Sequence, residues 1–413
     1  MIAWLKRRLS LPDPTPPAIV LAIGFYLAHI ICSGWVASSE GFVAFSMMAF
    51  LWALYRKQIK LSSHILFFPL VVYAIDSTVS ALTAPAEIHA FGENALWLKI
   101  ALFAMALILF REVPRSRDLA LRAVLIFGVF SAMFGLVQYF VFAKGDLEHR
   151  ITGPTAHVMT LSGLLLPVSL VFLILWIHDR ANVWLLAGTI IVSFTLLLTL
   201  TRSAWLGWLV AVSVLLILRW PRALIFATPL LVLFISFMPL PLFSRMVSSF
   251  STRQSSNLDR IRMVQAGVEI IKDYPLLGVG PANIKEVYPL YRKHDAPRFR
   301  IPHLHNNAVQ LWAERGVLAL AAYVLLNVLF LRECYRSWNG PESRFAEIGV
   351  AVAVALAAAG LFEFNFGDTE VFWMLLDICA LVIAFTEVED RRSRLSGTGR
   401  IACPPSGVPV NGP

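Results

Sequence analysis

Charged residues are scarce in this sequence. Lysine, arginine, aspartate and glutamate together make up 15% of the chain, whereas hydrophobic residues make up 58%. A soluble core cannot bury so many apolar side chains, and a soluble surface needs more charge than this sequence supplies. The composition therefore excludes a soluble enzyme and predicts a polytopic membrane protein.

Cysteine is also rare. The chain has four cysteines, and none of them falls in residues 244–307, the longest polar segment. A disulfide framework or a cysteine metal site is thereby excluded for that segment. The four residues are Cys32, Cys334, Cys379 and Cys403.

Long hydrophobic runs recur along the chain. A helix needs roughly 20 apolar residues to cross about 30 Å of hydrocarbon. Twelve runs come near that length, so we predict an all-α protein with about twelve transmembrane helices. The runs are 18–37, 41–55, 64–83, 94–110, 119–143, 158–177, 183–200, 203–218, 223–243, 308–331, 345–362 and 370–387.

Basic residues are distributed unevenly between the connections. If the N-terminus is cytoplasmic, the connections on that side carry 19 of the 35 lysines and arginines. The positive-inside rule then predicts twelve spans with both chain ends in the cytoplasm. The predicted organisation is a cytoplasmic N-terminus at 1–17, helices in 18–243, an outer loop domain at 244–307, helices in 308–387, and a disordered cytoplasmic tail at 388–413.

The outer segment 244–307 is basic, with ten lysines and arginines against five aspartates and glutamates. Long segments cross a membrane largely regardless of charge, so this surplus leaves the topology unchanged. It suggests an anionic ligand on the outer face, although a solvated basic loop has the same composition.

Residues 258–273 within this segment predict an amphipathic helix. The sequence PLLGVG that follows ends this helix in a turn. Its GxG is not a dinucleotide-binding fingerprint, because no strand precedes it. The predicted apolar face consists of Ile261, Val264, Val268 and Ile271.

A polar stripe opens the tenth predicted span, in the sequence HLHNNAVQLWAERG at 303–316. Asn306 or Asn307 suits the N-cap of that helix. Gln310 and Glu314 follow Asn306 on one helical face, with His305 just above. A carboxylate about two turns into a span usually faces a cavity or a partner. Two roles stay open for Glu314: an ion pair with an arginine that locks helices together, or a direct part in chemistry.

Arg202 lies between the seventh and eighth predicted spans, where almost no loop separates them. The ordinary explanation is an arginine that reaches to the membrane interface. However, Arg202, Arg260, His303 and His305 all lie at outer ends, where the fold can bring them together. Arginine suits phosphate because its planar fork gives paired hydrogen bonds, and histidine suits proton abstraction near neutral pH. The set favours a transferase with a phosphate leaving group over a pore.

These segments resemble the O-antigen ligase and polymerase superfamily of bacterial envelope glycosyltransferases. The resemblance is carried by TRSAW at 201–205, DRIRM at 259–263 with PLLGVGPAN at 275–283, and HLHNNAVQLWAERG, while RITGPTAH at 150–157 is a weaker element. Val264 departs from the pattern, because relatives often have tryptophan there. The resemblance implies a GT-C-like fold in the bacterial inner membrane, with the active site facing the periplasm.

The superfamily transfers a glycan from undecaprenyl pyrophosphate to an acceptor sugar without a metal ion, nucleotide sugar or other cofactor. Carried over to this sequence, the resemblance implies that Arg202 and Arg260 bind pyrophosphate and that His305 takes the proton. Gly316 completes the histidine motif. The tyrosines of VYPLYRKHD suit stacking on sugar faces, or packing of the loop against the membrane. The expected substrate-binding residues are Arg262, His303, Asn306, Gln310, Glu314, Tyr288 and Tyr291.

The expected function is that of an O-antigen ligase, with a glycan donor linked to undecaprenyl pyrophosphate and a lipid A-core acceptor. A compact outer loop favours this assignment, because it leaves an open approach for a bulky membrane-anchored acceptor. A polymerase, whose acceptor is the growing glycan, or a protein O-oligosaccharyltransferase of the same superfamily needs the same residues. No nucleic acid partner is expected, and the membrane lipid is the surrounding medium.

Two alternatives of a different kind remain. The first is a transporter of lipid-linked sugars, although the polar groups cluster at one face and not at the midplane. The second is a zinc site built from His303, His305 and Glu314, since three ligands and a water make a catalytic zinc centre. An HxH spacing is common by chance, which weakens the zinc alternative.

Overall fold

A computed structural model describes residues 2–84, 96–142, 149–219, 221–223 and 255–395 of the chain. Their regular structure consists of fifteen α-helices and one short 3-10 helix, without a strand in these ranges, which confirms the all-α class. By length and composition, six of these helices can cross a membrane and three shorter ones are apolar. The chain is a polytopic membrane protein, although the described residues do not reach the predicted count of twelve spans.

The described helices before the outer segment coincide with the first eight predicted spans, preceded by a short N-terminal helix. The predicted ninth span and residues 244–254 lie outside the described residues, apart from the 3-10 turn at 221–223. These helices are α1 (Ile2–Arg8), α2 (Pro17–Ile31), α3 (Val36–Tyr55), α4 (Phe67–Thr83), α5 (Leu96–Glu112), α6 (Pro114–Phe140), α7 (Val158–His178), α8 (Val183–Leu198) and α9 (Arg202–Arg219).

The second half of the chain contains two helices of the outer segment and four that follow it. The last of them continues into the predicted tail, whose remaining residues, 396–413, lie outside the described part. These helices are α10 (Ser255–Asp273), α11 (Ile284–Tyr291), α12 (Asn307–Arg315), α13 (Val317–Arg336), α14 (Ser343–Ala359) and α15 (Thr369–Leu395).

Helices α7 and α15 form the centre of the bundle, because most of their apolar residues are buried on every side. Small residues let neighbouring helices approach closely, as is common between membrane helices. A Cβ atom at Gly163 of α7 would lie 2.6 Å from Val371 Cγ2 of α15. A Cβ atom at Gly207 of α9 would lie 2.5 Å from the carbonyl oxygen of Ala355 in α14.

The outer segment has a small hydrophobic core of its own. The predicted helix at 258–273 is confirmed, but its predicted apolar face is wrong at two of four positions: Ile261 and Val268 are each 41% exposed, whereas Ile271 packs against this core. The buried face lies elsewhere because a Cβ atom at Gly267 would meet Val309 Cγ1 at 2.4 Å, so α12 packs directly on this side. That face consists of Met263, Ala266, Gly267 and Ile270, at positions i, i+3, i+4 and i+7.

The tenth predicted span is two helices, because Gly316 interrupts it. Gly316 has φ +93°, and a Cβ atom there would lie 1.8 Å from the carbonyl oxygen of Leu276. The PLLGVG turn docks against this break: Val279 N donates to Ala313 O at 2.9 Å and Gly280 N to Glu314 O at 2.8 Å. The turn thereby satisfies carbonyl groups at the end of α12 that the helix leaves open.

Ion pairs hold the opposite end of the bundle. Arg111 Nε donates to Glu387 Oε2 at 2.7 Å, which joins α5 to α15. Arg219 Nε donates to Glu347 Oε1 at 2.7 Å, which joins α9 to α14. Both arginines belong to connections that the sequence predicts to be cytoplasmic.

Candidate functional site

A cavity of about 700 Å³ opens at the end of the bundle where α5, α7, α9 and α15 begin. The outer segment and the connections 149–157 and 360–368 complete its wall. Residues from distant parts of the chain therefore meet in one space between the membrane helices and the outer segment.

The cavity wall carries more positive than negative charge. It contains six lysines and arginines and four carboxylates, before any histidine is counted. A concave surface with this surplus attracts anions. The cationic residues are Lys99, Arg150, Arg202, Arg260, Arg298 and Arg315, and the carboxylates are Asp259, Glu314, Glu363 and Asp368.

Two histidines and an arginine surround the carboxylate of Glu363. His305 Nδ1 lies 2.9 Å from Glu363 Oε1, and His303 Nδ1 lies 3.9 Å from the same oxygen. The centroids of the two imidazole rings are 4.2 Å apart. Arg260 Nη2 lies 3.6 Å from the other oxygen, Oε2. One carboxylate thus contacts three of the residues predicted for the site.

This arrangement shifts the protonation of its members. Burial alone would raise the pKa of Glu363, but the contact with His305 and the charges of His303 and Arg260 outweigh burial and lower this pKa to about 2. Burial, helped by the neighbouring His305, lowers the pKa of His303 to about 4. At neutral pH Glu363 is therefore an anion and His303 is uncharged, and the charge of His303 acts on Glu363 only at the acidic pH where this carboxyl titrates.

Hydrogen bonds fix the histidine segment in place. Asn306, one of the two residues predicted as candidates, is the N-cap of α12: its side-chain oxygen accepts from the backbone of α12 at 3.0 Å, and its Nδ2 donates to Leu361 O at 2.9 Å. Asn307 N donates to Gly360 O at 2.7 Å. His305 itself has φ +51°, a conformation that residues other than glycine adopt rarely. These contacts hold the segment against the connection that carries Glu363.

Arg202 is the first residue of α9. Its Nη2 donates to Ser256 Oγ at 3.1 Å and to Asn257 Oδ1 at 2.7 Å, at the start of α10. These bonds tie a membrane helix to the outer segment. Arg202, Arg260 and His305 all line the same cavity, so the structure brings together the three residues predicted to be catalytic.

Glu314 also lies in the cavity wall, where it forms an ion pair. Arg315 Nη1 lies 2.6 Å from Glu314 Oε2, and Glu314 Oε1 accepts from Ala282 N at 3.0 Å. Arg315 Nε in turn donates to Ser77 Oγ of α4 at 2.9 Å. Of the two roles left open by the sequence, this geometry favours the lock between helices.

Other residues predicted to bind substrate do not line the cavity. Gln310 Oε1 accepts from Leu304 N at 2.6 Å, inside the outer segment. Arg262 pairs with an aspartate of the loop that follows α11, and Tyr288 is buried in the small outer core. Tyr291 donates from its hydroxyl to the last residue of α10 at 2.6 Å. In these positions the four residues shape the outer segment and do not face the cavity.

Several lining residues were not singled out by the sequence patterns. Glu363 lies in the apolar connection LFEFNF, and Lys99 lies inside the fourth predicted span. The available signal was the one that drew attention to Glu314, an ionisable group within or next to a predicted span. Arg298 and Asp368 were likewise not predicted, whereas Arg150, His157 and Arg315 lie in the RITGPTAH and HLHNNAVQLWAERG segments but were given no role there.

The histidine cluster also has a geometry suited to a metal ion. Ligand atoms of His303, His305 and Glu363 lie within 4.8 Å of one another. The carboxylate of this group is Glu363, whereas the zinc alternative had expected Glu314. The guanidinium of Arg260 already places a positive charge beside Glu363, and it opposes a second cation there.

Comparison with protein families supports the resemblance drawn from the sequence. Residues 187–324 match the family described as O-Antigen ligase. The matched region is about a third of the chain and contains Arg202, Arg260 and His305. No protein of curated function matches the chain. The match over these residues bears out the resemblance to the O-antigen ligase superfamily that the sequence motifs indicate.

Replacing Glu314 by alanine is expected to lower the free energy of unfolding by about 3 kcal/mol or more, because Arg315 would stay buried without its partner. Glu314→Gln should cost less, because an amide oxygen still accepts from Ala282 N. Thermal unfolding of the detergent-solubilised protein measures both changes. Glu269→Ala removes an exposed ion pair with Lys272 and serves as the control, with an expected change of about 0.5 kcal/mol. Unchanged stability of Glu314→Ala would contradict the lock.

Proposed function

We propose that this protein is an O-antigen ligase, which transfers a glycan from undecaprenyl pyrophosphate to a sugar hydroxyl of lipid A-core at the periplasmic face of the inner membrane. The observation that carries the proposal is the convergence of Arg202, Arg260 and His305 on one cavity at the end of a membrane helix bundle. The family match supports the same class of enzyme.

The cavity suits a lipid-linked pyrophosphate donor. The cavity lies at the helix ends. A prenyl chain can therefore remain among the membrane helices while the charged diphosphate enters the cavity between the bundle and the outer segment. Arg202 and Arg260 offer planar forks whose N–H groups pair with phosphate oxygens. The two arginines therefore bind the diphosphate and stabilise the charge that develops on it as it leaves.

His305 acts as the general base in this proposal. The acceptor hydroxyl oxygen attacks the anomeric carbon of the donor sugar, and its proton passes to His305. The bond between that carbon and the phosphate oxygen breaks, and undecaprenyl pyrophosphate leaves with the bonding electron pair. Attack opposite the leaving group inverts the configuration at the carbon.

Glu363 positions the base. Its carboxylate contacts Nδ1 of His305 at 2.9 Å, which leaves Nε2 for the acceptor proton. The negative charge of Glu363 also stabilises the imidazolium that forms during transfer. Because Arg202 and Arg260 balance the charge of the leaving group, the reaction proposed here needs no metal ion.

The acceptor separates a ligase from a polymerase. A polymerase joins repeat units to one another and a ligase joins the finished chain to lipid A-core, while both use the same arginines and base. Residues 255–307, the described part of the outer segment, form a short helical unit packed beside the cavity. Such a compact unit leaves room for a bulky membrane-anchored acceptor, which favours the ligase.

Deletion of the gene followed by gel analysis of lipopolysaccharide tests this function. For a ligase we expect bare core, with long glycan chains retained on undecaprenyl pyrophosphate. Core capped by a single repeat unit would identify a polymerase instead. Normal long-chain lipopolysaccharide would contradict both assignments, and transport of lipid-linked glycan by the purified protein without covalent transfer would identify a transporter.

Arg202→Ala is expected to reduce glycan transfer by about a hundredfold or more, because the diphosphate loses a paired, charge-assisted contact. Arg202→Lys should recover only part of the activity, because an ammonium lacks the planar fork. The activity of both variants is measured with purified protein in proteoliposomes, as transfer of the glycan from undecaprenyl pyrophosphate to lipid A-core. Arg300→Ala is the matched control, since Arg300 is an exposed arginine outside the cavity wall. Wild-type transfer by Arg202→Ala would reject the donor assignment.

His305→Ala is expected to insert and fold, with a lower unfolding temperature because Glu363 loses its closest contact, and to lose roughly a hundredfold to ten-thousandfold in turnover, the range for a lost general base. The same proteoliposome assay measures the loss, with thermal unfolding to verify folding. His294→Ala, which removes an exposed histidine of the same segment, should leave turnover unchanged. Near-full turnover by His305→Ala would assign the base to His303 or to a group on the substrate.

A further inference from the structure

Lys99 is a buried lysine in the wall of the same cavity. It lies in the first turn of α5, is only 7% exposed, and donates from Nζ to Thr369 Oγ1 at 3.2 Å. Its ammonium lies 5.3 Å from the ring centre of Phe372. No carboxylate among the described residues forms an ion pair with it. A buried ammonium in these surroundings destabilises the fold unless a ligand supplies an anion.

The charged residues with the largest effects on Lys99 act on it without forming an ion pair with it. Arg315 repels Lys99, and its own charge is paired with Glu314. Asp368 attracts Lys99, but its oxygens accept from Thr160 Oγ1 at 2.6 Å and from the backbone of α15 at 3.2 Å. The remaining attractive charges, Glu370 and Glu40, do not line the cavity.

Lys99 belongs to a different group of charges from the histidine cluster. The largest charge effects on Glu363 come from His305, His303 and Arg260. None of these residues is among those with the largest charge effects on Lys99. The cavity therefore has two cationic regions, one around His305 and one around Lys99.

We propose that Lys99 and Thr369 form a second anion-binding subsite of this cavity, which takes a phosphate or carboxylate group of a glycolipid substrate. Lys99 supplies the charge and its remaining N–H donors. Thr369 accepts from Lys99 through Oγ1, so its own hydroxyl hydrogen is available to a ligand oxygen. The inference rests on the proposed function and adds the requirement that a substrate carries an anionic group at this second position.

Two substrate groups have this chemistry. The first is the second phosphate of the donor diphosphate, if the diphosphate extends from the arginines towards α5. The second is an acidic substituent on the acceptor glycolipid. Both require a cation at position 99, and they differ in which substrate loses affinity when that cation is removed.

The first arm of the experiment measures binding without turnover. Wild-type protein, Lys99→Met and Lys99→Arg in nanodiscs are titrated with undecaprenyl pyrophosphate and with undecaprenyl monophosphate. If the subsite takes the second donor phosphate, Lys99→Met weakens pyrophosphate binding about tenfold or more and leaves monophosphate binding nearly unchanged, and Lys99→Arg retains most of the affinity. Lys272→Met, an exposed lysine of α10, is the control and should bind as the wild type does.

The second arm measures the KM for two acceptors, lipid A-core with its acidic groups and the same glycolipid after phosphatase treatment. If the subsite takes a phosphate of the acceptor, Lys99→Met raises the KM for the intact acceptor about tenfold and leaves the KM for the treated acceptor unchanged. An unphosphorylated core that carries only carboxylates is compared in the same way with its carboxyl-reduced form.

A structural role for Lys99 predicts a different result. If Lys99 only holds α5 against α15, Lys99→Met lowers the ligand-free unfolding temperature, and affinities for both substrates stay at wild-type values. That pattern overturns the subsite. We expect instead an unfolding temperature at or above that of the wild type, because an unpaired buried charge has been removed. The binding arm needs no transfer, so loss of the proposed enzyme activity is distinguishable from loss of the subsite.

Discussion

The buried carboxylate of Glu363 is the interaction on which the candidate site depends. It is 8% exposed and contacts His305, His303 and Arg260, which come from the outer segment, while Glu363 itself belongs to the connection between α14 and α15. Burying a carboxylate is costly unless positive or hydrogen-bonding groups surround it. The outer segment and the membrane bundle must therefore pack together to satisfy this charge. The same packing assembles the base and one arginine of the proposed reaction.

The break at Gly316 lets one predicted span serve both parts of the molecule. α12 packs on α10 in the outer segment, whereas α13 packs on α4 in the bundle. A continuous helix would carry the histidine motif along the axis of α13, away from the connection that holds Glu363. The PLLGVG turn makes the break possible, because its N–H groups bond to the carbonyls that end α12. The turn contributes no reactive side chain, but it orients α12, the helix that follows the two histidines of the motif.

The sequence predicts this architecture well where the signal is local. Hydropathy identifies most of the described helices, and the polar run at 303–316 limits the N-cap to Asn306 or Asn307, because both depend on neighbours along one helix. The apolar face of α10 is mispredicted because Gly267 adds no hydrophobicity, yet its missing side chain decides which face α12 contacts. Glu363 was not predicted because its partners lie far away in the chain. An isolated carboxylate in an apolar run shows that a partner is needed, but not which residue provides it.

The cavity wall has a surplus of positive charge, which lowers the stability of the fold. A purely structural role does not explain this surplus. Ion pairs that only stabilise helices use balanced charges, as at the opposite end of the bundle, where Arg111 meets Glu387 and Arg219 meets Glu347. In the cavity wall the lysines and arginines outnumber the carboxylates, and Lys99 is buried beside a hydroxyl instead of an acid. Such an imbalance lowers stability and persists where activity needs it. A bound diphosphate would restore the balance, so the surplus itself favours an anionic substrate over a solvated basic surface.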